Sequence, residues 1–149
     1  MHVGPDTAHL VSDATECTVV LGTDIVDVLR FARMSELRGP SLAGLVFTPQ
    51  ELASCRGQPA RLAARLAAKE AVAKALGTGI GTVGWRDVEV VSGESGAPAV
   101  LLGGNARDLA RAQGLGPWAV SLSHDAGQAV AVVAAVRAPR APAGSRGET

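Results

Sequence analysis

One run, Arg61–Gly77 (RLAARLAAKEAVAKALG), constrains this chain more than any other. Ala, Leu, Arg, Lys and Glu fill it almost throughout, and all are strong helix formers. Pro59 suits a first-turn position and Gly77 the left-handed residue just past the last turn, so the helix is bounded at both ends. At spacing four, Leu62, Leu66, Glu70 and Lys74 share one row, beside Ala63, Ala67 and Ala71. A carboxylate thus continues a row that leucines begin. Burying an ionised carboxylate costs several kcal/mol unless a cation meets it, so Glu70 implies a metal or a basic partner. Lys69 and Lys74 are the only two lysines among 14 Lys and Arg, and both lie within a turn of Glu70. The plainer alternative is an i,i+4 salt bridge from Glu70 to Lys74, contributing a few tenths of a kcal/mol.

A length of 149 residues predicts one domain with a real core, and the 47% hydrophobic share supports it. With two Trp, two Phe and no Tyr, that core must be mainly Val, Leu and Ala. Net zero charge argues against nonspecific nucleic-acid binding as the main task. The charge is uneven, however: residues 1–27 hold five acids and no Lys or Arg, whereas residues 30–74 hold eight Lys and Arg against three acids. A basic middle suits an acidic partner or a phosphorylated ligand. Cys17 and Cys55 show no metal-type spacing, which predicts a reducing compartment without a disulfide framework. The start of the chain lacks a basic n-region and an apolar h-region, and the longest apolar run, Ala129–Val136, is too short for a bilayer. A cytoplasmic protein with no membrane association is expected.

Residues 1–17 are polar and non-periodic and predict a flexible extension. Thr18–Asp24 is β-rich, which sets Asp24 at or just past a strand's end. A helix is expected over about Val26–Arg38, with Gly39-Pro40 breaking it. Thr48-Pro-Gln-Glu51 reads as a capping box opening a short helix to about Cys55. The segment 78–84 is a glycine-rich loop without P-loop or dinucleotide spacing. Trp85–Val91 and Pro98–Leu102 predict two strands, Gly104–Gln113 a helix, Trp118–Ser123 a strand, His124–Gly127 a turn, and Ala129–Val136 a final strand. Residues 18–137 thus form one α+β domain, a largely antiparallel sheet packed on a long helix, and residues 138–149 form a disordered Pro/Ala/Gly/Arg tail.

His124 is the only histidine outside the N-terminal extension, and a lone histidine at a turn is more often a surface or capping residue. Ser121, His124 and Asp125 are too close in sequence for a hydrolase triad. Asp24 and Glu70 are the stronger candidates. Two carboxylates with waters suit Mg²⁺, which completes its shell with substrate phosphates. Neighbouring lysines and arginines would hold those phosphates, and the implied chemistry is phosphoryl or phosphodiester transfer. For Arg30, Arg33 and Arg38, a solvated helix face is the common reading and a docking surface the functional one.

The stretches Gly22-Thr-Asp24-Ile-Val, Phe47-Thr-Pro-Gln-Glu51 and Arg65-Leu-Ala-Ala-Lys-Glu-Ala-Val-Ala-Lys74 together resemble holo-acyl-carrier-protein synthases. The likeness extends through Trp85-Arg-Asp-Val-Glu-Val, Gly96-Ala-Pro-Ala-Val and Ser121-Leu-Ser-His124, covering about residues 19–137. It implies a small 4′-phosphopantetheinyl transferase, homotrimeric, with active sites between subunits. Such enzymes move 4′-phosphopantetheine from coenzyme A to a serine of an apo acyl carrier protein and release adenosine 3′,5′-bisphosphate. By the same resemblance Asp24 and Glu70 match the Mg²⁺ ligands, and Lys74 matches a phosphate contact that protonates the leaving group. Arg65, Lys69 and His124 match positions near coenzyme A. Arg30, Arg33, Met34 and Arg38 match the surface that meets the carrier. The serine's base is either Glu70 or a water held by Asp24. A non-catalytic module that binds coenzyme A or a carrier on the same scaffold is the alternative. Neither reading names the physiological carrier.

Overall fold

The computed structural model describes residues 17–139, so the expected extension and tail lie almost wholly outside the described residues. Its elements run β1 (Thr18–Asp27), α1 (Val28–Val46), α2 (Pro49–Cys55), α3 (Pro59–Ala75), β2 (Val88–Ser92), β3 (Pro98–Leu102), α4 (Gly104–Ala112), β4 (Leu115–Asp125) and β5 (Gln128–Arg137). Two antiparallel sheets result, one of three strands in the order β1-β5-β4 and one pairing β2 with β3. The α+β architecture matches the expectation.

α3 lies across one face of the three-stranded sheet, against β1 and β5. It is not the leucine row that seats it. Ala63, Ala64, Ala67, Ala68, Ala71 and Val72 are among its buried side chains, while Leu62 and Leu66 are only half-buried and meet a second cluster around Phe31 and Phe47. Small side chains let the helix approach the sheet closely, and Gly22 makes the approach closer still. A Cβ at Gly22 would stand 1.9 Å from the Ala71 carbonyl oxygen. The row Leu62–Leu66–Glu70–Lys74 therefore runs along the margin of the core, passing from half-buried to exposed.

Local signals in the sequence are reproduced. Thr48 accepts from the Glu51 amide while Glu51 accepts from the Thr48 amide, completing the capping box, and Gly77 takes φ 75°. Differences arise where strand partners decide. β1 continues past Asp24 because Asp27 still pairs with Gln128 of β5. β4 likewise continues through His124 and Asp125, leaving Ala126-Gly127 as a two-residue turn with φ 47° and 78°, the positive values that a twisted hairpin favours. α1 starts at Val28, capped by the Asp27 side chain, and its first segment breaks where expected, just past Arg38. Gly39 leaves helical geometry (φ 66°, ψ −167°) and Pro40 restarts the helix, giving a kink with a second segment to Val46. Trp85–Asp87 is a 3-10 turn rather than the start of a strand, since the Asp87 carboxylate accepts from the Gly84 amide and closes it.

Candidate active site

β1 and α3 deliver the charged residues to one place. Asp24 follows Gly22 by two residues and so shares its face, the one against α3. Lys74 Nζ reaches across from the helix, donating to Asp24 Oδ1 at 2.6 Å and to the Thr23 carbonyl at 3.0 Å. The side chains are 52% and 18% exposed, so the pair sits at the rim rather than in the core. Glu70 lies one turn earlier on α3. Burial lifts its carboxyl above the ordinary 4.5, the negative charge of Asp24 lifts it further, and Lys74 opposes both. Asp24 and Glu70 are thus neighbours, which sequence alone left open. The alternative Glu70–Lys74 bridge is not formed; Lys74 pairs with Asp24 instead.

Two carboxylates against one ammonium leave a net negative group of hard oxygen donors. That donor set fits Mg²⁺, with the ammonium standing where a cation is wanted. Among the described residues no cluster of three or more His, Cys, Asp or Glu exists, so a metal here would complete its shell with water and substrate oxygens.

Lys69 is a correction. It is fully buried, and its Nζ donates to Glu51 Oε2 at 2.8 Å, to the Trp85 carbonyl at 3.1 Å and to the Val88 carbonyl. All three donors are satisfied and none faces solvent, so it cannot touch a ligand as the resemblance implied. Burial lowers its pKa and Glu51 opposes the shift. Glu51, also fully buried, accepts in addition from the Thr48 and Val90 amides. Sequence reading gave Glu51 only a capping role. The missed signal is that Arg61, Arg65 and Lys69 form their own row, one residue off that of Glu70. Arg65 sits on that row, half-buried, where its charge acts on the buried Cys55 thiol against the upward push of burial. Its Nε is buried without a hydrogen-bond partner.

His124 is exposed near the end of β4, on the same face as Asp24. Two strand spacings and two residues along separate them, roughly 12 Å between Cα positions. The structure does not bring His124 into the Asp24 group. Arg30, Arg33, Met34 and Arg38 are exposed on the first segment of α1. Arg30 and Met34 line a recess of about 230 Å³ with Val26 and Leu66. Val26 is two residues beyond Asp24 and Leu66 one turn before Glu70, so the recess opens beside the charged group.

Residues 20–133, which carry that group, match the sequence profile of the 4′-phosphopantetheinyl transferase superfamily. The chain belongs to this family. A curated relative from Clavibacter michiganensis subsp. michiganensis, named holo-[acyl-carrier-protein] synthase, is 49% identical over 113 residues, covering 76% of this chain and 91% of its own. Among solved structures, the holo-[acyl-carrier-protein] synthase of Neisseria meningitidis superposes with TM-score 0.71 at 37% identity, covering 78% of this chain and 96% of that one. The Helicobacter pylori synthase, solved in complex with coenzyme A, gives TM-score 0.71 at 29% identity over 77% and 98% of the two chains. In this transferase the Asp24–Glu70–Lys74 group sits where β1 meets α3, next to the recess that Val26 and Leu66 help to line.

Proposed function

We propose that this transferase moves 4′-phosphopantetheine from coenzyme A to a serine of an apo acyl carrier protein, releasing adenosine 3′,5′-bisphosphate. The juxtaposition of Asp24, Glu70 and Lys74 carries the reading, since it supplies paired carboxylates for Mg²⁺ and an ammonium for phosphate. The bound metal would offset charge on the diphosphate oxygens. The serine oxygen forms a bond to the phosphorus nearer the pantetheine, and the bridging P–O bond breaks. The serine's proton goes to Glu70, directly or through a water held beside Asp24. Lys74 neutralises the departing phosphate. The unpaired Nε of Arg65 and the exposed His124 are further donors for the nucleotide end of coenzyme A.

The basic face of α1, Arg30, Arg33 and Arg38 around Met34, receives the acidic carrier and presents its serine over the adjoining recess. Copies of the chain associate as a trimer through the outer face of the three-stranded sheet. There Val19, Leu21, Ile25 and Val132 are 54%, 66%, 61% and 45% exposed, an apolar surface that a lone sheet would rarely leave bare. Sites between subunits would bring Arg65 and His124 to the Asp24 group of a neighbouring copy. The reaction belongs in the cytoplasm, in keeping with two free cysteines.

Incubating the protein with Mg²⁺, coenzyme A and an apo carrier, then weighing the carrier, tests the reading. Addition of one phosphopantetheine, abolished by EDTA, is expected. No mass gain on fatty-acid, polyketide and peptide-synthetase carriers alike would overturn it.

A further inference from the structure

Resting on the reading of Asp24 and Glu70 as the metal pair, we propose that Lys74 is the built-in counter-cation of that pair, and that it makes metal binding depend on the arrival of the diphosphate. The ammonium is clamped by two oxygens of β1, Asp24 Oδ1 at 2.6 Å and the Thr23 carbonyl at 3.0 Å. It therefore engages one of the two carboxylates a divalent ion needs. Lys74 is also the only cation that pairs with either carboxylate among the described residues.

The charge count gives the consequence. Asp24, Glu70 and Lys74 sum to one negative charge, a weak attractor for a hydrated dication that must also dislodge the ammonium. Metal and ammonium together against two carboxylates leave an excess positive charge, which an incoming diphosphate relieves. Metal and coenzyme A then bind cooperatively, each raising the other's affinity by the same factor. On arrival of both, Lys74 exchanges its Asp24 contact for a phosphate oxygen. The Lys74 side chain is half exposed, so this swing needs no repacking of the core.

Mn²⁺ serves as the probe, its free concentration read by electron paramagnetic resonance, with and without coenzyme A. For the unaltered protein, coenzyme A should tighten Mn²⁺ binding by tenfold or more. Lys74→Met should bind Mn²⁺ alone on the order of tenfold more tightly than the unaltered protein, with most of the gain from coenzyme A lost. Lys74→Arg, which keeps the charge, should retain the coupling. Equal Mn²⁺ affinity of the unaltered protein and Lys74→Met without coenzyme A would overturn this proposal and leave the metal reading standing. Failure of any form to bind Mn²⁺ under either condition would overturn both.

Discussion

Glu70 and Lys69 are adjacent in sequence and opposite in role, and the difference is one of helical rotation. Glu70 falls on the margin of α3, where burial and Asp24 raise its pKa. A carboxyl whose folded pKa is raised contributes stability that is present below its unfolded value and lost as pH rises through the folded one. The free protein should therefore lose stability as pH climbs above Glu70's ordinary 4.5. Glu70→Gln should remove that component, leaving the unfolding free energy at neutral pH equal or higher, by up to about 1 kcal/mol at this partly exposed site. Transfer should fall by a factor of ~10² or more. Retained transfer at saturating Mg²⁺ would remove Glu70 from the mechanism. Lys69→Met leaves the fully buried Glu51 carboxylate without its cation and should cost about 3–5 kcal/mol in denaturant unfolding. Its surviving folded fraction should keep the unaltered KM for coenzyme A, because Lys69 touches no ligand. A large rise in KM would restore it to the site.

At the scale of elements, the site exists because β1 and α3 touch backbone to backbone at Gly22 and Ala71. Gly22→Ala places a methyl 1.9 Å from the Ala71 carbonyl oxygen, so strand and helix must separate. We expect ~3 kcal/mol or more of lost stability, and lost transfer in whatever still folds, since Asp24 moves away from Glu70 and Lys74. Normal stability by chemical unfolding would refute the contact. The elements that sequence resolved are those decided locally: α3 by composition, α2 by its capping box, and the end of α3 by Gly77, at positive φ. Those it resolved badly depend on distant partners. The extent of β1 follows from Gln128 and the burial of Lys69 from Glu51, 18 residues away. Asp24 and Glu70 were legible as candidates because a carboxylate in an apolar row is costly. Their meeting was not, because nothing local to either residue encodes which strand lies under the helix.

For the molecule as a whole, one face of the three-stranded sheet carries α3 and the other carries nothing among the described residues. Across that outer face Leu21 stands in register with Ala134, Thr23 with Val132 and Ile25 with Val130. The row alternates with Gly22 and Asp24, which face α3, so the two sides of β1 serve different ends. One side builds the active site and the other is free to join copies. Leu21→Arg changes only the outer side, and Leu21 is 66% exposed, so the isolated fold should survive with unchanged circular dichroism. A guanidinium at the centre of an apolar interface would be desolvated without a partner, which costs several kcal/mol per copy and should leave monomers in light scattering. Transfer should fall with assembly if Arg65 and His124 serve the Asp24 group of a neighbour, since each monomer holds His124 roughly 12 Å from its own Asp24. A monomeric Leu21→Arg protein with full activity would show that one chain is a complete enzyme. A trimer of undiminished mass would show that the copies meet elsewhere.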